Sequence, residues 1–273
     1  MKNILLVLAA MACIQVSAQR KPKIKGNKIV TDVQGSLEPF HAIELNDDLE
    51  IKLRKSSEEG YDITADDNLI DVLKFEVEDE VLVISSFYNI TGKKKLEITV
   101  DYVQLDALTL NDGEMQMNDA IVTDVLTVKT FESAKLQLNA EASQIDISMV
   151  GNSSGDFVLT ADEVNMELKD RIDVRIYTDS GTNNLKMAKN ASVKMEGTVE
   201  DFKVDLIGNS SLKGERLEAK NAFLNLSESP SAEVNVRDSL ALTSSGASQT
   251  ALYGTAKINI IEFLDTSELK KKK

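Results

Sequence analysis

"VGNSSG" at residues 150–155 returns as "IGNSS" at 207–211, an offset of 57 residues. Its meaning decides the fold: a second domain copy, or a later turn of one winding. The neighbouring sequence answers. "EVNMEL" (163–168) resembles "AFLNLS" (222–227) at an offset near 58, and "RIDVRI" (171–176) resembles "SAEVNV" (231–236) at an offset of 60. Such an offset is three coils of roughly 20 residues, the size of one solenoid turn.

Between the repeats, apolar residues alternate with polar ones. Leu136/Leu138, Ile145/Ile147/Met149, Val164/Met166/Leu168, Ile172/Val174/Ile176, Val204/Leu206 and Leu240/Leu242 are examples. Period two marks strands with one buried face. From about residue 105 these strands recur at short, regular intervals, separated by Asn, Asp, Ser and Gly. "GNSS", "DSG" (179–181) and "SSGAS" (244–248) read as corners. Glycine there supplies positive φ, and short polar side chains bond their own backbone. The register predicts that Leu136, Leu138, Ile147, Val164, Met166, Val174, Val204, Leu206, Leu224, Val234 and Leu242 point inward. Residues 36–100 differ, with longer strands and charged turns, and read as hairpin-like strands that cap the first coil. "ADDNLIDVLKFEV" (65–77) holds the one candidate helical turn, with Leu69, Val72 and Leu73 at helical spacing.

The ends are set apart by composition. Residues 1–18 read as a signal peptide: Lys2, the apolar run "ILLVLAAMACI", and Val16-Ser17-Ala18 before Gln19. Lipidation at Cys13 is the alternative, but "AAMAC" is a poor lipobox. Cys13 is the only cysteine, so a mature chain has neither disulfide nor thiol nucleophile. Residues 19–30 read as a flexible basic linker, 31–262 as one β-solenoid domain, and 263–273 as a charged tail. No later stretch is apolar for the ~18 residues a transmembrane helix needs. The formal net charge of −14 repels nucleic acid.

No constellation carries chemistry. A hydrolase elbow needs G-x-S-x-G, and after Gly246-Ala247-Ser248 the second glycine is missing. The sole histidine, His41, lies far away in sequence and is no metal site alone. Acidic turns such as Asp47/Asp48 and Glu78/Asp79/Glu80 lack any calcium-loop pattern. Tyrosines are few (61, 88, 102, 177, 253) and tryptophan is absent, which leaves few platforms for sugars. The expectation is no catalytic, cofactor or metal residue.

Residues 36–85, "SLEPFHAIELNDDLEIKLRKSSEEGYDITADDNLIDVLKFEVEDEVLVIS", place Phe40 and Ile43 before a polar turn, then a strand, a loop, "ADDNLID" and a strand pair. Ser245, Gly246, Ala247 and Ser248 form a Ser-Gly-Ala-Ser corner, followed by "LYG" (252–254). On these residues the chain resembles the "putative auto-transporter adhesin, head GIN domain" family of Bacteroidetes-type bacteria. It departs where "NDGEM" (111–115), "AEASQ" (140–144) and "GNSS" occupy comparable corners. The resemblance implies an all-β, right-handed parallel β-helix-like solenoid, export, and a periplasmic or outer-surface setting. It supplies no ligand and no catalytic residue. In such bacteria "DSL" (238–240) resembles an O-glycosylation signal, making Ser239 a candidate acceptor. The functional expectation is a non-enzymatic binding, adhesin-like or structural protein of the cell envelope, partnered by a glycan or a protein. A carbohydrate-active β-helix enzyme is the alternative.

Overall fold

The structure, a computed structural model, describes residues 21–272. The candidate signal peptide and Cys13 lie outside the described residues. Lys135–Gly151, Ser154–Asp170, Asp173–Lys189, Ser192–Gly208 and Ser211–Glu228 are successive strands, each paired in parallel with the next. Leu136 pairs with Gly155, Gly155 with Val174, Val174 with Val193 and Val193 with Leu212, a step of 19 residues per turn. The 57-residue repeat is therefore three turns. Together the strands form a β-solenoid of about nine turns, 73% strand and 2% helix.

Each long strand unites two of the short runs seen in the sequence. In Lys135–Gly151 the buried residues are Leu136, Leu138 and Ala140, then Ile145, Ile147 and Met149. The alternation changes phase between them, which bends one strand into two arms around a shared core. "AEASQ" and "DSG" lie at this bend, inside strands, and not at the Gly151 corner. All eleven residues predicted to point inward are buried. One column runs Ile147, Met166, Leu185, Val204, Leu224, Leu242 from turn to turn. The 60-residue alignment of "RIDVRI" with "SAEVNV" is two residues off, since Asp173 reaches Ser231 through Ser192 and Ser211. Because side chains alternate with period two, that slip leaves every inward residue inward.

The corners have a backbone signature. Gly113, Glu132, Gly151, Asp170, Lys189, Gly208, Glu228, Gly246 and Asp265 all have positive φ, from 47° to 94°. They recur once per turn. Each reverses the chain from the second arm of one turn to the first arm of the next. Two residues after five of them sits a small inward residue: Ala134, Ser153, Ala191, Ser210 and Ser248 are buried.

Parallel stacking begins earlier than residue 105. Ala42–Leu45 pairs in parallel with Ala107–Leu110 and with Val81–Ser86, and Glu50–Lys55 pairs with Glu114–Met117 and Leu96–Tyr102. The cap is antiparallel: Val30–Ser36 on Gly60–Asp66, Gly60–Asp66 on Leu96–Tyr102, Leu73–Glu78 on Val81–Ser86. A single helical turn, Asp67–Ile70, buries Leu69. Both ends are built in further than the sequence reading expects. Lys23–Lys25 pairs with Asn89–Gly92, inside the stretch read as a flexible linker. Glu268–Lys271 pairs with Gln249–Gly254, inside the stretch read as a tail. Backbone pairing needs no apolar side chain, so lysine-rich composition does not prevent it.

Asp66 pins the cap. It is fully buried, and its carboxylate accepts backbone N–H groups of Lys28 (3.2 Å), Lys94 (3.1 Å) and Lys95 (3.2 Å). Burial pushes its pKa up, but the bonds from Lys94, Lys28 and Lys95 outweigh this and hold it below the usual value. A depressed folded pKa contributes stability that is fully present above the unfolded value, about 3.9. That stability is lost as pH falls through the lower folded value. Acidification below about pH 4 is expected to raise amide exchange in 28–30 and 93–95 before the coils open. Asp66→Asn should flatten this pH dependence and lower the unfolding midpoint at neutral pH. An unchanged pH profile in the variant would remove Asp66 as the cause.

Candidate functional site

The outward residues of each arm form ladders, one rung per turn, with rungs about 4.8 Å apart. On the first arm, Gln137, Asp156, Arg175 and Lys194 form one ladder, and Asn139, Val158, Tyr177 and Glu196 the next. They line a shallow trough of about 400 Å³. Tyr177 is 55% exposed and Val158 48% exposed. The ring of Tyr177 stands on a flat sheet among amide and charged groups: Asn139, Gln137, Asp156, Arg175 and Lys194. Arg175 Nε lies 3.7 Å from Asp156 Oδ1. Hydrogen bonding from Lys194 holds the Glu196 carboxyl below the usual range.

The second arm carries a trough of about 550 Å³ with a different lining. Asp146, Asn165 and Asn184 stack on successive turns. Asn165 Nδ2 donates to Asp146 Oδ1 (2.9 Å), and Asn184 Nδ2 donates to Asn165 Oδ1 (2.7 Å). Lys129, Lys186, Lys203, Glu167 and Asp205 flank this ladder. Similar amide-to-carboxylate steps join Asn221 to Asp201 and Asn225 to Asp205, both at 3.0 Å. These bonds tie the amide side chains into the rungs.

The residues singled out in the sequence lie apart from both troughs. Ser245, Gly246, Ala247 and Ser248 form the turn between Ser231–Ser244 and Gln249–Gly254. Ser248 is fully buried, its hydroxyl donating to the Ser245 carbonyl and accepting from Ser244 Oγ at 3.1 Å. A hydroxyl turned into the core meets no substrate. Ser248→Ala is expected to keep the fold at a cost of about 1–2 kcal/mol, for two lost internal hydrogen bonds, read as a small shift in urea midpoint. Ser239 is exposed and donates to Asn221 Oδ1 at 2.7 Å. His41 is exposed, with Nδ1 3.5 Å from Glu80 Oε2. Among the described residues no group of three His, Cys, Asp or Glu is placed to hold a metal, and no helix is long and apolar enough to cross a membrane. Sequence reading counts Tyr177 among the few aromatic platforms for sugars but does not single it out. Its signal was available: Tyr177 falls on the outward phase of "RIDVRIYT".

Stacked parallel rungs, left-handed corners and a closed cap define a capped β-solenoid. The chain belongs to the family described as "putative auto-transporter adhesin, head GIN domain", which matches it over residues 39–256. Solved structures share the fold. One, described as a "putative adhesin" from Parabacteroides merdae, is 15% identical with a TM-score of 0.68, covering 92% of this chain and all of its own. A "putative adhesin" from Parabacteroides distasonis has the same values. A "putative lipid binding protein" from the same species is 17% identical with a TM-score of 0.63, again over 92% of this chain and all of its own. No curated protein matches.

Proposed function

We propose that this is an exported, non-enzymatic binding protein of the cell envelope. Its first arm lays an extended glycan across the rungs beside Tyr177. The observation that carries the reading is the exposed Tyr177 side chain, set among Gln137, Asn139, Asp156 and Arg175. An aromatic face offers apolar area at little entropic cost, and the neighbouring amides and charges fix orientation. Regular rungs suit a polymer that itself repeats. The family name and the adhesin names of the structural relatives support an adhesin-like role.

The test is retention of the protein on a panel of host and bacterial polysaccharides, with reducing and unsaturated ends assayed in parallel. Retention without new ends is expected, and Tyr177→Ala should weaken it roughly tenfold, about 1.4 kcal/mol. Release of ends that stops on replacing one surface carboxylate makes the protein an enzyme. Failure to bind any glycan overturns the glycan and leaves a protein ligand.

A further inference from the structure

Among the described residues, nothing covers the end of the solenoid opposite the cap. Lys257–Phe263 pairs with Ser231–Ser244, and Glu268–Lys271 with Gln249–Gly254. Among the described residues neither strand has a neighbour on its other side. Ile258 and Ile260 continue the inward columns of Leu240 and Leu242, yet they are 38% and 51% exposed. Phe263, below Ser244 in the same stack, is 39% exposed, and Ile261 and Leu264 lie more open still. Two bare strand edges over an apolar cross-section are a template for further pairing, and solenoid ends are ordinarily capped.

The occupant can be argued from symmetry and charge. The other end is crossed by antiparallel strands and closed over Phe40 and Leu69, both buried. That end keeps free strand edges of its own on Val30–Ser36 and Leu73–Glu78, but the exposed inward columns of Ile258 and Ile260 lie at the tail. Two copies meeting tail to tail about a two-fold axis cover those columns with one another. In Glu268–Lys271, Leu269 and Lys271 continue the core-side columns of Thr250 and Leu252, and Glu268 and Lys270 lie on the opposite face. Antiparallel pairing centred on Leu269 sets it against its own copy. It also places Glu268 of each chain across from Lys270 of the other, twice, an arrangement that stabilises cross-strand pairs. Within one chain the two side chains already pair at 2.5 Å, so the exchange moves charges between neighbours without stranding either.

We infer that two copies of this chain join through Lys257–Phe263 and Glu268–Lys271 into a tail-to-tail dimer. The cap and both troughs then point away from the joint. The inference rests on the fold and is independent of any ligand. Sedimentation and light scattering of the purified protein are expected to give the mass of two chains. Ile258→Lys with Ile260→Lys should return one chain, with the circular dichroism and melting of the body retained. Glu268→Lys alone should weaken self-association by roughly tenfold or more through like charges. Glu268→Lys with Lys270→Glu should restore it. Leu269→Cys, made with Cys13→Ser, should form a disulfide-linked dimer under oxidation, because directly opposed strand residues lie within disulfide reach. A single chain at every concentration overturns the inference, as do open-ended oligomers. A dimer unmoved by these substitutions overturns it too.

Discussion

Val204→Asp is expected to abolish the native structure of the central turns. Val204 is 2% exposed and packs between Leu185 and Leu224 in one inward column. An aspartate there has no partner, because the facing residues are aliphatic above and below. The charge must stay unsolvated, or the carboxyl must take up a proton and bury a polar group. Either outcome costs several kcal/mol. Whole domains of ordinary size are stable by about 5–15 kcal/mol, so one such change consumes much of the margin. Val204→Ala supplies the control. It removes methyl groups without adding charge and should cost roughly 1–3 kcal/mol, less than the aspartate. In a solenoid each turn is held only by its neighbours. The damage should therefore centre on strands 173–189, 192–208 and 211–228. Hydrogen exchange by mass spectrometry checks this: those strands should lose protection while Gly60–Asp66 in the cap keeps more of its own. A variant that melts with the wild type would mean that the inward register is wrong at this column.

The inward register was legible because period-two alternation is a local property, and the solenoid stacks each apolar residue on another. Other features were legible only in part. The corner column was visible at Gly113, Gly151, Gly208 and Gly246, where glycine marks positive φ. It was hidden at Glu132, Asp170, Lys189, Glu228 and Asp265, which hold the same backbone conformation with ordinary charged side chains. Two hidden corners lie between the two "GNSS" segments, so the sequence repeats over three turns and not over one. "DSG" and "AEASQ" carry the composition of a corner but sit at the mid-strand bend, where local composition cannot tell one reversal from the other. Asn183 is inward and fully buried between Val164 and Phe202, while Asn184 beside it is on the outward ladder. Nothing in "GTNNLKM" separates them, since the phase change within the strand decides which one turns in. The parallel pairing of Ala42–Leu45 with Ala107–Leu110 joins segments some 65 residues apart, beyond what pattern alone resolves. The candidate site was least legible. Tyr177 becomes notable only when Asn139, Asp156 and Arg175, from three turns, converge around it.

Gly246→Val is expected to destabilise the last turns strongly while its neighbour Ser248 tolerates alanine. Gly246 has φ of +73°, and a Cβ there would lie 2.2 Å from the carbonyl oxygen of Glu228 on the preceding turn. The contact is with backbone, so no side chain can swing aside. Charged residues occupy the same column at other turns with positive φ, so left-handed backbone alone is not forbidden. A β-branched residue is the poorest choice for that conformation, and here it also meets a fixed oxygen. The backbone term is of order 1–3 kcal/mol. With the clash, the total should reach roughly 2–4 kcal/mol. Gly246→Asn separates the two contributions, since asparagine enters left-handed backbone more readily but still carries a Cβ. If the clash dominates, the asparagine variant will lose nearly as much stability as valine. If backbone strain dominates, it will recover most of the loss. Thermal unfolding of both variants, beside Ser248→Ala at about 1–2 kcal/mol, reads this directly. A valine variant no less stable than Ser248→Ala would show that the turn can open away from Glu228, and that the Ser-Gly-Ala-Ser corner does not need its glycine.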